Sequence, residues 1–192
     1  MSQNFYKQSL LNKAKSDRFI LVLNIPKELK DINAKDERSN YKITFDTLQF
    51  AIYGSIVPAE IIPQIELRYS GGTTYVSSHN KPSYDPITVN FAIDNEFKNY
   101  WVIHKWLQVL RDEKTGIYNG EFEIKDRGLG RYSTDFKIIA LNDFDKPIIE
   151  WTYKNAFPIS LGEISYNHRD AKELDTNFQF VFSHIQTNLI VN

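Results

Sequence analysis

Apolar and polar residues alternate with period two along much of this chain. Each alternating run predicts a β-strand with one face in a core and the other facing water or a solvated channel. Leu48, Phe50 and Ile52 alternate with Thr47, Gln49 and Ala51, and Ile65, Leu67 and Tyr69 alternate with Gln64, Glu66 and Arg68. Ile87, Val89, Phe91 and Ile93 alternate with Thr88, Asn90 and Ala92. Residues 19–25 are apolar on both faces, which predicts a strand buried on both sides and ended by Pro26. Further strands are expected over 118–126, 132–141, 148–153, 159–166 and 174–185. The last carries Leu174, Phe178, Phe180 and Phe182 on one face.

The period changes over residues 95–111, where the pattern predicts a helix with Asp94 as N-cap and Thr115-Gly116 as its stop. At about 100° per residue, Tyr100, Val102, Ile103, Trp106, Leu107, Val109 and Leu110 fill one half of the wheel. Phe97 and Trp101 fall in the other half, among Lys98, His104, Lys105, Gln108, Arg111 and Asp112. One apolar face satisfies a helix lying on its own sheet. Two large aromatics opposite it predict a second covered contact, made either by another subunit or by an arm or loop of the same chain. Phe97 and Trp101 are therefore candidate subunit-interface residues.

Residues 1–17 read as a polar arm anchored by Phe5, Tyr6, Leu10 and Leu11, followed by a single β domain over 18–192. Two insert loops are expected, a charged one at 27–40 and a Gly-, Ser- and Thr-rich one at 70–85. Many strands with one helix give a mainly β fold class, an antiparallel β-sandwich or barrel with the helix against one side or end.

A length of 192 residues, 42% of them apolar and 14% aromatic, suits one ordinary domain that is neither disordered nor membrane-like. The longest apolar runs fall far short of the ~20 residues of a bilayer span. The start, Met1-Ser2-Gln3-Asn4, lacks an apolar segment, so no secretion signal and a cytoplasmic site of synthesis are expected. The absence of cysteine excludes disulfides, thiolate nucleophiles and cysteine-ligated zinc. Lys and Arg number 23 against 24 Asp and Glu, with no block of like charge. Such a chain has no basic face with which to grip nucleic acid, although it can enclose it.

Catalytic patterns are missing. Gly128-Leu129-Gly130-Arg131 is a turn and not a phosphate loop, and there is no Gly-x-Ser-x-Gly elbow. The four histidines, 79, 104, 168 and 184, lack metal-site spacing. Glu121 and Glu123 point to the same side of one strand and cannot straddle a glycosidic bond. They form a solvated strand face or an acidic lining. No catalytic residue, cofactor or metal is expected.

The segment Trp151-Thr152-Tyr153-Lys154-Asn155-Ala156-Phe157-Pro158-Ile159-Ser160-Leu161-Gly162-Glu163-Ile164-Ser165-Tyr166 resembles a hallmark of the tail-tube proteins of T-even-like contractile phages. That hallmark is a strand, Asn-Ala-Phe-Pro, Ile/Val-Ser and a second strand, followed by a polar turn and a last strand like 174–182. Residues 52–58 and 61–69 resemble the family's early strands around a proline. Residues 86–110 resemble its apolar strand, acidic-Asn turn and aromatic helix with a central Trp. The resemblance spans residues 18–186.

It implies a subunit of hexameric, six-fold rings, in which sheets of six copies join into a continuous inner barrel. The rings stack into a tube inside a sheath, with sheath and baseplate proteins as partners. DNA passes through at ejection without specific binding, and the protein resides in the virion tail. Under this reading the lumen candidates are Gln64, Glu66, Arg68, Thr88, Asn90, Glu121 and Glu123. The long inserts also fit a tube initiator at the baseplate or a tail terminator with the same fold. A reading from another class is a glycan-binding β-sandwich, with Tyr75 and Tyr84 stacking on sugars.

Overall fold

Period-two runs become strands, and what remains is how their backbones pair. The computed structural model describes residues 13–26, 29, 47–49, 52–55, 57–80, 83–111, 132–169 and 172–190. Its strands are β1 (Phe19–Asn24), β2 (Thr47–Gln49), β3 (Ile52–Gly54), β4 (Gln64–Tyr69), β5 (Gly72–Ser77), β6 (Ile87–Ala92), β7 (Thr134–Leu141), β8 (Pro147–Leu161), β9 (Asp175–Val181) and β10 (His184–Leu189), with helix α1 at Lys98–Leu110. The main sheet runs β2-β1-β7-β8-β9-β6-β3, β10 also pairs with β8, and β4-β5 stand apart as a hairpin. Every pairing among the described residues is antiparallel.

The architecture turns on β8. Its first half lies between β7 and β10, and its second half lies beside β9. β9 and β10 are almost one strand, interrupted at Phe182-Ser183, with Val181 opposite Phe157 and His184 opposite Lys154. β8 changes partners at a bulge: Tyr153 faces Phe136 and Ala156 faces Thr134, so Lys154 and Asn155 together oppose Asp135. Asn155 has φ 55°, in the left-handed region that Asn tolerates better than most residues. Asp135 holds the bulge, accepting the Asn155 N–H at 3.4 Å and the Lys154 ammonium at 2.5 Å.

This bend lets the two halves of the sheet face each other. β1, β7 and β8 contribute Leu21, Leu23, Phe136, Ile138 and Tyr153, while β6 and β9 contribute Ile87, Val89, Phe91, Phe178 and Phe180, all buried. The rings interlock, with centroids 4.7 Å apart for Phe136–Phe180, 5.4 Å for Tyr153–Phe180 and 5.8 Å for Phe91–Phe178. Burial pushes the Tyr153 phenol pKa up, so that side chain stays neutral inside the core. α1 adds Val102, Ile103, Trp106 and Val109 to the same core. The Trp106 indole N–H donates to the Tyr132 carbonyl at 2.8 Å.

Several expectations change. Among the described residues the sheet does not close into a barrel; it ends at β2 and β3. The run around Leu48 and Ile52 is two short strands at opposite ends of that sheet, one on β1 and the other on β6. The strands expected over 148–153 and 159–166 merge into the 15-residue β8, which ends at Leu161, so residues 162–166 are not strand. Residues 70–85 are not simply a loop, because Gly72–Ser77 is a strand. Within the 27–40 insert, Leu29 is helical and buried in the core. The strand at 118–126, the turn at 128–131 and the arm up to residue 12 lie outside the described residues.

The helix starts at Lys98, not at 95, because Asp94 caps it from a distance. Asp94 Oδ1 accepts the N–H groups of Glu96 and Lys98 at 3.0 and 2.9 Å, and Oδ2 accepts that of Asn99 at 3.0 Å. Phe97 turns the chain at φ 57°, and buried Asn99 donates to the Ala92 carbonyl at 2.8 Å.

The bulge yields a direct test. Asn155→Gly should leave stability within about 0.5 kcal/mol, whereas Asn155→Val should lose about 1–2 kcal/mol in urea unfolding, because a branched side chain resists positive φ. Equal stability of the two variants would contradict a left-handed residue there.

Candidate assembly surfaces

The hairpin is built by its turn. Tyr69-Ser70-Gly71-Gly72 places φ 49° at Ser70 and φ 82° at Gly71, the two-residue turn whose twist matches paired strands. Register puts Ile65 opposite Val76, Leu67 opposite Thr74 and Tyr69 opposite Gly72, so one face carries Ile65, Leu67, Tyr69 and Val76. The other carries Gln64, Glu66, Arg68, Thr73, Tyr75 and Ser77. The apolar face is open to solvent: Ile65 is 47%, Leu67 49% and Tyr69 85% exposed. Ile61 and Ile62, in the approach to the hairpin, are exposed as well. An isolated two-stranded ribbon is marginal in water, so an apolar face held out this way calls for a cover.

The lumen candidates do not share one surface. Gln64, Glu66 and Arg68 lie on the polar face of the hairpin, where Arg68 Nε meets Glu66 Oε1 at 2.9 Å. Thr88 and Asn90 lie on the main sheet, half-buried; Thr88 accepts from Gln179 Nε2 at 3.2 Å. Asn90 crowds Gly54, where a Cβ would meet its Nδ2 at 3.0 Å. Glu121 and Glu123 lie outside the described residues.

The interface candidates Phe97 and Trp101 are both half-buried at the start of α1. Lys105 Nζ sits 4.7 Å from the Trp101 ring centroid and His104 lies 5.8 Å away, so the helix itself covers part of that indole. A groove opens between α1 and the second half of β8, lined by Tyr100, His104, Leu107, Tyr132, Phe157 and Ile159.

A polar face was missed. On β7, β8 and β10 the residues opposite the core-facing ones include Asp135, Lys137, Glu150, buried Thr152, Lys154, Gln186 and Asn188, brought side by side by the ladder, with Ile139 next to Glu150. Lys137 Nζ lies 3.1 Å from Glu150 Oε1, and the Thr152 hydroxyl donates to that same oxygen at 3.0 Å. Lys154 pairs with Asp135. The Lys137 hydrogen bond, aided by those of Thr152 and Asn188, holds the Glu150 carboxyl below its ordinary value against the opposing effect of burial. The signal was present as alternation: Asp135 and Lys137 bracket Phe136, and Glu150, Thr152 and Lys154 bracket Trp151 and Tyr153. Among the described residues, no group of three or more His, Asp or Glu is placed to hold a metal ion. No helix there is long and apolar enough to cross a membrane.

Comparison with known proteins adds three findings. The sequence profile of a family described as phage tail tube protein matches residues 14–187. No curated protein matches significantly. Among solved structures, the chain is similar to one from the anti-feeding prophage tube terminating cap, with a TM-score of 0.61 at 13% identity, over 99% of this chain and 100% of that one. It is similar to one from the sheath/tube terminator of the extracellular contractile injection system PVC, with a TM-score of 0.60 at 14% identity, over 94% and 99%. It is also similar to one from the PVC sheath–tube complex in the extended state, with a TM-score of 0.58 at 14% identity, over 98% and 100%.

Two predictions follow from the geometry. Because the folded pKa of Glu150 is depressed, its stabilisation is complete above the ordinary value of 4.5 and disappears as pH falls through the folded value. Glu150→Gln should therefore lose less melting temperature than the parent between about pH 5 and about pH 3; an identical loss would remove the assigned pairing. Trp101→Ala should impair assembly more than monomer folding, read by thermal melts beside electron microscopy, and equal loss of both would place Trp101 in the monomer's own core.

Proposed function

The chain belongs to the phage tail tube protein family, and we propose that it is the repeating subunit of the inner tube of a contractile phage tail. The family and its structural relatives are tube proteins, not enzymes, and the role is structural. Six copies close a ring, rings stack head to tail inside a sheath above a baseplate, and the bore conducts DNA during ejection. The protein then resides in the virion tail.

The observation that carries this reading is the amphipathic hairpin β4-β5, which holds Ile65, Leu67 and Tyr69 out in solvent. A monomer gains nothing from such a face. A stack of identical rings does, because head-to-tail assembly needs two unlike surfaces on one chain, one protruding and one receiving. The groove between α1 and β8 supplies a concave apolar surface of the second kind. Near-zero net charge supports a conduit, since each phosphate neutralised on the wall would tether the passing polyanion.

A second reading, a tube-end protein with the same fold, is favoured by the likeness to the cap and terminator structures. The two separate under the microscope. Purified protein at high concentration should form long hollow rods as a tube subunit and single rings as a tube end; dispersed monomers would exclude both. Replacing Ile65 and Leu67 together by Glu should change monomer stability by only about 0.5 kcal/mol, as befits exposed positions, and should abolish rods while rings persist. Rods of unchanged length would free the hairpin from stacking.

A further inference from the structure

Among the described residues the core is partly open at one end, and the chain upstream of β1 is held beside that opening. The geometry points to an occupant: residues 1–12 of the same chain dock across the end of β1-β7-β8-β10. Phe5, Tyr6, Leu10 and Leu11 are the side chains that cover it.

Register sets the core side of these four strands in rows. Leu23, Phe136 and Tyr153 share one row and are fully buried, with half-buried Ile185 beside them. Towards the β7–β8 turn the last row is Phe19, Ala140, Ile149 and Leu189. Its first three members are only half-buried, and Leu189 is 64% exposed. Phe144, in the turn beyond, is 82% exposed. Burial therefore fades towards this end. It leaves an apolar strip four strands wide, about 14 Å at the usual strand spacing, of the kind that calls for a cover.

The upstream chain is steered towards this strip. After a turn at Ser16-Asp17, two cations are held by the β7–β8 turn: Lys15 Nζ lies 3.0 Å from Asp143 Oδ1, and Arg18 Nη1 lies 2.7 Å from Asp145 Oδ1. That turn is closely determined. Asn142 Oδ1 accepts the N–H groups of Phe144 and Lys146 at 2.8 and 3.0 Å, the Asp145 N–H donates to the Asn142 carbonyl at 3.1 Å, and Asp145 has φ 57°. Exposed ion pairs add little stability. What these two give is direction, because they bring the chain from β1 over the β7–β8 turn, on the way to Leu189. Arg18 Nε is buried with no acceptor among the described residues. A carbonyl of the docked arm would satisfy it.

The arm has the matching pattern and reach. Its apolar side chains come in two pairs, Phe5-Tyr6 and Leu10-Leu11, separated by Lys7, Gln8 and Ser9. In extended chain the pairs stand about 17 Å apart, close to the width of the strip. Leu10 and Leu11, nearer the root, meet its β1 side, and Phe5 and Tyr6 meet Leu189. Docking removes apolar surface of both partners from water.

Limited trypsin digestion of the full chain, with cleavage after Lys7 read by mass spectrometry, tests this. The parent should be cut there at least tenfold more slowly than Leu10→Ser/Leu11→Ser, while cleavage within the β domain stays as in the parent; equal rates after Lys7 would overturn the docking. Leu189→Ser, at an exposed position, should accelerate the same cut. Combining it with the arm variant should add nothing further, because both remove one contact; independent, multiplying effects would take the arm off this strip. Protection of the parent should be unchanged on tenfold dilution. Protection that fades on dilution would move the arm onto a second copy and overturn the own-chain assignment. If Leu189→Ser disturbs folding, Asp143→Asn/Asp145→Asn in the exposed turn decides: faster cutting after Lys7 supports the clasp, and cutting as slow as in the parent excludes it.

Discussion

A backbone amide at the margin of a sheet must be satisfied by water, by its own chain or by another chain, and this constraint organises the molecule. The fifteen-residue β8 pairs with two successive sets of partners, β7 with β10 along its first half and then β9 along its second. The turn between those sets is made by a single left-handed residue, Asn155, held by Asp135. Without that bend Phe136 and Tyr153 would not meet Phe178 and Phe180, and there would be no closed aromatic core for α1 to cover. The same bend leaves β10 beyond the corner, paired on one side only among the described residues.

Stability draws on one part of the chain and leaves two others almost unused. The interlocked rings, the Trp106 indole bond and the Asp94 cap all lie within the protomer. The amphipathic hairpin and the outer margin of β10 add little to it. A monomer would lose almost nothing if both were polar and blunted, as natural edge strands usually are. Their retention in an unblunted form accords with membership of the phage tail tube protein family.

Much of this was legible in the sequence, because period-two alternation writes the core directly. Val89, Phe91, Phe178 and Phe180 are where alternation places them, and the wheel over 95–111 matches the buried helix face, whereas residues 19–25, apolar on both faces, bury only Leu21, Leu23 and Ile25 fully. The misreadings arose where local chemistry and tertiary pairing disagree. Asn155 and Pro158 look like strand terminators, yet a bulge absorbs the first and an edge tolerates the second. Thr73 to Ser77 looks like a polar loop, although Ser70-Gly71 between two extended runs is a hairpin signal. The helix start moved three residues because Asp94 reaches across a left-handed Phe97. Polarity along a single strand singles out residues such as Gln64, Glu66, Arg68, Thr88 and Asn90 one strand at a time. Only the register shows that Lys137, Glu150, Thr152 and Asn188 belong to one surface, and register is a property of pairing that no single strand reveals.

The central claim is that this chain completes its sheet with copies of itself. A helical reconstruction of assembled particles, at a resolution that separates strands, tests it most directly. The account predicts a wall in which strands follow one another at about 4.8 Å without a break from one subunit to the next. A wall in which each subunit's sheet stops short of its neighbour, with side chains or solvent filling the gap, would contradict it.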